Sequence, residues 1–83
     1  MDNMLEIQES ISVWVFFKNN SILPYSFFWK DRQIKVDKIN LVHTSKNGAG
    51  VFYHFSVSSG GNFYRLRFEV DKMKWFLEMV EEE

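Results

Sequence analysis

Residues 51–70 read V-F-Y-H-F-S-V-S-S-G-G-N-F-Y-R-L-R-F-E-V. Val51, Tyr53, Phe55 and Val57 alternate with His54, Ser56 and Ser58, and Tyr64, Leu66, Phe68 and Val70 alternate with Arg65, Arg67 and Glu69. A period of two places one parity against a core and the other towards water, the signature of a half-buried strand. Between the runs, Ser58-Ser59-Gly60-Gly61-Asn62 has the composition of a tight turn. The stretch therefore predicts an antiparallel hairpin with one buried and one wetter face.

Strand patterning continues on the N-terminal side. Thr44 to Gly50 reads as a loop, in which Asn47-Gly48 tolerates positive φ. A loop symmetric about that dipeptide sets Leu41 opposite His54 and Phe52 opposite His43, making the two histidines diagonal neighbours. Ile34 and Val36 alternate with Lys35 and Asp37, after which the apolar phase slips to Ile39 and Leu41. The slip predicts a β-bulge near Asp37-Lys38 and a curled sheet. Lys30-Asp31-Arg32-Gln33 reads as a hairpin turn, and Pro24 opens the run over residues 25–30. Beyond the turn signal Lys18-Asn19-Asn20-Ser21 lies S-I-S-V-W-V-F-F-K, residues 10–18. Ile11, Val13, Val15 and Phe17 share one parity, Trp14 and Phe16 the other. A strand apolar on both faces is central in a core or lies at an interface.

The C-terminal side supports two readings. Met73, Phe76, Leu77 and Val80 fit a helical stripe with Asp71 as N-cap. Trp75, Leu77 and Met79 fit a strand that follows a turn at residues 71–74.

The 83 residues suffice for one domain, 1–83, with residues 1–9 and 81–83 expected as flexible acidic ends. Cysteine is absent, which excludes disulfides and thiolate chemistry. The longest apolar run, residues 13–17, is far too short for a membrane-spanning helix, and the N-terminus lacks the basic and apolar regions of a signal peptide. A cytoplasmic protein without membrane association is expected. Net charge is -1, unevenly spread. Residues 18–74 hold all ten Lys and Arg against only Asp31, Asp37, Glu69 and Asp71, a net of +6, while the other seven acids lie outside that span. A basic middle between acidic ends fits a polyanion-binding face, or internal neutralisation by ends that fold back. Internal neutralisation is the favoured reading.

Catalytic patterns are missing: no nucleophile elbow, phosphate loop or H-E-x-x-H occurs. His43 and His54 lack an evident third ligand, so no metal, cofactor or catalytic residue is expected. Two surfaces stand out instead. Arg65, Arg67 and Phe63 share a strand parity, and Phe52 and His54 lie on the adjoining strand. Such a face can stack bases and hold phosphates, with Arg32, Lys35 and Lys46 as possible helpers. The other surface is Trp14 and Phe16, since one small core cannot hide apolar side chains from both faces of several strands.

Pro24-Tyr25-Ser26-Phe27-Phe28-Trp29-Lys30-Asp31-Arg32-Gln33-Ile34-Lys35-Val36, with Tyr64-Arg65-Leu66-Arg67-Phe68 and Trp75-Phe76-Leu77, resembles a group of small bacterial β-domains of unknown function. Their pattern runs P-x-x-F-x-W-x-G-R-x-Y-x-V, then Y-x-L-x-[FY]-[DE], then W-x-L. The resemblance spans residues 24–77, with Asp31 in place of the pattern's Gly and Ile34 in place of its aromatic. It implies a compact antiparallel domain with W-x-L in the last strand, and it carries no catalytic residues or ligand.

The reading is a single all-β antiparallel meander of five to six strands, curled like a half-barrel; the alternative is α+β, with residues 71–82 as a helix on one face. Its expected core is Val13, Val15, Phe27, Ile34, Val36, Leu41, Tyr53, Phe55, Val57, Tyr64, Leu66, Phe68 and Trp75. The expected role is a non-enzymatic interaction module acting by self-association or protein binding through Trp14 and Phe16. Single-stranded nucleic-acid binding is the alternative.

Overall fold

A computed structural model describes residues 4–48 and 50–82. All seven elements are strands: β1 (Met4–Lys18), β2 (Ser21–Trp29), β3 (Arg32–Lys35), β4 (Lys38–Asn47), β5 (Gly50–Ser59), β6 (Asn62–Glu69) and β7 (Lys74–Glu81). They form one antiparallel sheet in the order β3-β2-β1-β7-β6-β5-β4, curled into a half-barrel. The connections follow a meander round a ring that pairs its first and last strands and stays unladdered between β3 and β4. The 15-residue β1 makes the ring possible. Its first half pairs with β7 as far as Ile11↔Trp75, and its second half pairs with β2 from Ser12↔Phe28 onwards.

Two-residue turns close three of the hairpins. Asn19 and Asn20 (φ 51° and 64°), Lys30 and Asp31 (52° and 61°), and Gly60 and Gly61 (56° and 85°) all take left-handed backbone. That is the backbone of turns whose twist matches the flanking strands. Asp31, where the resembling pattern has Gly, thus adopts the conformation that Gly would favour.

The strand count exceeds five to six because the phase slip at Asp37 marks a break between strands, with no bulge there. The chain leaves β3 through Val36 and Asp37 and starts β4 at the opposite edge of the sheet. That corner is fastened to the β5–β6 turn. The Asp37 N–H donates to Ser58 O at 2.9 Å, the Gly60 N–H donates to Asp37 Oδ2 at 2.9 Å, and Ser59 Oγ donates to Lys35 O. A bulge does exist nearby, at Asn40, between the pairs Ile39↔Val57 and Leu41↔Ser56. It turns Leu41 outward to 59% exposure, so Leu41 is not in the core as expected.

Residues 74–81 are a strand, which excludes the C-terminal helix. The pairs Arg65↔Met79 and Leu66↔Leu77 leave Glu78 as an extra residue. The bulge shifts the inward parity from Trp75 and Leu77 to Val80, so the apolar spacing imitates a helical stripe. Residues 4–9, expected as part of a loose end, run as strand along β7. Residues 1–3 and 83 of the expected acidic ends lie outside the described residues.

The core fills the inner side: Phe27, Trp29, Ile34, Phe55, Val57, Tyr64, Leu66, Phe68, Trp75, Leu77 and Val80 are buried. Val13, Val15, Val36 and Tyr53 are half-buried against it. Tyr64 meets Phe27 edge-on at 5.1 Å, and Trp75 stacks on Phe68 at 4.8 Å. Among the described residues no helix is long and apolar enough to cross a membrane.

Candidate functional site

With the core inside, both surfaces singled out in the sequence fall on the outer side of the sheet. The first is built by β5, β6 and β7. The register His54↔Arg67, Ser56↔Arg65, Ser58↔Phe63 and Phe52↔Glu69 brings Arg65, Arg67, Phe63, Phe52 and His54 to one face. Phe52 and Phe63 stand at opposite ends of it, about 20 Å apart for six residues of strand. Between them lies a polar network centred on Glu78, the extra residue of the β7 bulge. One carboxylate oxygen of Glu78 accepts from Arg67 NH1 at 3.0 Å, and the other lies 3.3 Å from both Arg65 Nε and His54 Nδ1. Arg67 also donates to Glu69 at 3.1 Å and to Gln8 at 3.0 Å, and its guanidinium lies 4.6 Å over the Phe76 ring.

Glu78 is one of the C-terminal acids, so internal neutralisation of the basic middle is observed at this point. Arg65 is less fully engaged. Its Nε sits within ion-pair distance of Glu78 without hydrogen-bond alignment, and its NH2 donates to the thioether of Met79 at 3.1 Å, a weak acceptor. Shallow clefts of about 390 and 240 Å³ on this face share Arg65 and Met79.

The histidines face each other directly. His43 pairs with His54, because Asn47 pairs with Gly50 and the loop is centred one residue later than its composition indicated. Their rings stack at 4.6 Å and 12°. Ser45 Oγ lies 2.8 Å from His54 Nε2, completing a Ser45–His54–Glu78 chain in which both ring nitrogens have a partner. Sequence spacing could not reveal it, since Glu78 arrives from β7 across β6 through a bulge. The order is that of a nucleophile, a base and an orienting acid. Here, however, two guanidinium groups share the carboxylate and balance the charge that would stabilise an imidazolium. Among the described residues no cluster of three or more acidic or histidine side chains could hold a metal ion.

The second surface is the outer side of β1 and β2. Inward Ile11, Val13 and Val15 are half-buried, whereas outward Trp14 and Phe16 are 42% and 58% exposed. Tyr25 and Phe28 join them at 39% and 43%. Tyr25 is the extra residue of a bulge between the pairs Trp14↔Ser26 and Val15↔Pro24, and it stacks on Phe16 at 4.6 Å. Phe17 has the inward parity but is 70% exposed, because the tip of the β1–β2 hairpin extends past the core. Beneath the patch, Ser26 is buried and accepts from Gln33 Nε2 at 2.8 Å. Residues 12–18, β2 and β3 contain no acidic side chain.

The fold and these surfaces define a small all-β domain with an open aromatic patch. In comparisons with protein-family models, curated proteins and solved structures, the chain finds no match.

Proposed function

We propose that the chain is a non-enzymatic interaction module that works by self-association or protein binding through the outer side of the β1–β2 hairpin. The observation that carries this reading is the exposure of Trp14, Phe16, Tyr25 and Phe28 on one side of one hairpin. Aromatic side chains bury 150–250 Å² each, so these four with Phe17 offer roughly 500 Å² per copy. A symmetric pair would bury about 1,000 Å² from them alone, the size at which specific interfaces begin. On the β5–β7 face, by contrast, Arg67 gives three of its five N–H donors to side chains of the same chain, and its charge is already paired with Glu69 and Glu78.

Light scattering after size exclusion tests the proposal. A dimer or larger species is expected, reduced to monomer by Trp14→Glu with Phe16→Glu. Adding a mixed-sequence single-stranded oligonucleotide at low salt should leave the mass unchanged. A monomer that takes up the oligonucleotide, releases it at high salt, and loses it in Arg65→Glu with Arg67→Glu would overturn the reading in favour of nucleic-acid binding.

A further inference from the structure

Among the described residues the free backbone of the sheet lies in five places, and four of them are protected. One is the side of residues 4–11 turned away from β7, which carries Glu6 and Glu9 and is bent by the register shift between them. β3 is an edge of only four residues. β4 is a longer edge, but it carries Lys38 and Lys46 and is bent by the bulge at Asn40. Beyond the end of β3, the open side of β2 holds Pro24, which has no N–H to offer. Short strands, lysines, bulges and proline are the usual means of keeping sheet edges from pairing.

The fifth place is different. β1 leaves β7 after Ile11↔Trp75, so residues 12–18 pair with β2 on one side and, among the described residues, with no strand on the other. This free edge reads S-V-W-V-F-F-K, apolar on both faces, with its one charge at the end.

We infer that residues 12–18 pair with the same segment of a second copy, forming an antiparallel ladder across a two-fold axis at Val15. The inference rests on the reading of β1–β2 as the binding surface and specifies how a second copy engages it. Centred on Val15, the segment is self-complementary: Trp14 stands opposite Phe16 of the second copy, Val13 opposite its Phe17, and Ser12 opposite its Lys18. Opposed pairs share a face, so aromatic meets aromatic on the outer side and apolar meets apolar on the inner side. No like charges are opposed. In this register residues 13–17 pair without reaching β7, whose first residue, Lys74, lies level with Ser12. The pairing accounts for the two-sided apolar character of β1, which becomes an interior strand of a sheet running through both copies.

The chain has no cysteine, so a single introduced one reports on the pairing. Under mild oxidation, Val15→Cys should cross-link between copies at least tenfold faster than Thr44→Cys on the β4 edge. Amide exchange of the unmodified chain supplies a second reading. Protection of residues 12–18 should rise about tenfold between concentrations below and above the dimer midpoint, with β4 unchanged. A dimer in which Val15→Cys links no faster than Thr44→Cys, and in which exchange of residues 12–18 is independent of concentration, overturns edge pairing and leaves the aromatic face as the contact. A monomer at every concentration overturns edge pairing and self-association together.

Discussion

The outer sides of the β1–β2 hairpin and of the β5–β7 strands belong to the same curled sheet, yet they are finished in opposite ways. On β5–β7 the central charged groups meet counterparts within the chain: Glu78 gathers Arg65, Arg67 and His54, and Glu69 takes a further bond from Arg67. On β1–β2 the aromatics have only one another, as Phe16 and Tyr25 show. A polar side chain on a sheet face can be satisfied by a neighbour two strands away. An apolar one is satisfied only by being covered. Charge on a face therefore marks a binding site only where it lacks an internal counter-charge. By that test Arg67 is a structural residue, and Trp14 and Phe16 are the residues left uncovered.

Substitutions can break this contrast, and the largest effect is expected on the polar face. Glu78→Ala strips two guanidiniums of their shared acid and should cost about 3 kcal/mol in chemical denaturation at neutral pH. A loss under 1 kcal/mol would show that the network is solvent-screened and that the two faces differ less than their geometry indicates. Arg67→Ala should cost about 2 kcal/mol, and Arg65→Ala, half-exposed and poorly aligned, about 0.5 kcal/mol. Equal costs would remove the distinction between an engaged and an available arginine.

Ser45→Ala should cost about 1 kcal/mol through its bond to His54, and a fluorophosphonate probe should leave Ser45 unlabelled. Stoichiometric labelling would turn the Ser45–His54–Glu78 chain from a tie into a reactive centre. The smallest stability effect belongs to the open face. Trp14→Ser with Phe16→Ser should move monomer stability by no more than about 0.5 kcal/mol while abolishing association. A large loss of monomer stability would mean that the patch already serves the fold.

Much of the fold was legible because strands advertise themselves by alternation. The β5–β6 hairpin, the turns at Asn19-Asn20 and Gly60-Gly61, and the burial of Phe55, Leu66 and Trp75 follow from period two and turn chemistry. Bulges are what defeated the pattern. One extra residue at Asn40 moved Leu41 to the surface, and one at Glu78 made a strand resemble a helix. At Asp37 the same loss of phase marked a strand break, which periodicity cannot tell from a bulge.

The candidate sites divide along the same line. That residues 10–18 are apolar on both faces is a property of the sequence alone, since composition and parity are local. That Arg65 and Arg67 are neutralised, and that residues 12–18 keep an open edge, was decided by tertiary structure. Both depend on where β7 pairs with its neighbours. Its bulge delivers Glu78 to the arginines, and its start at Lys74 leaves the upper half of β1 without a second partner.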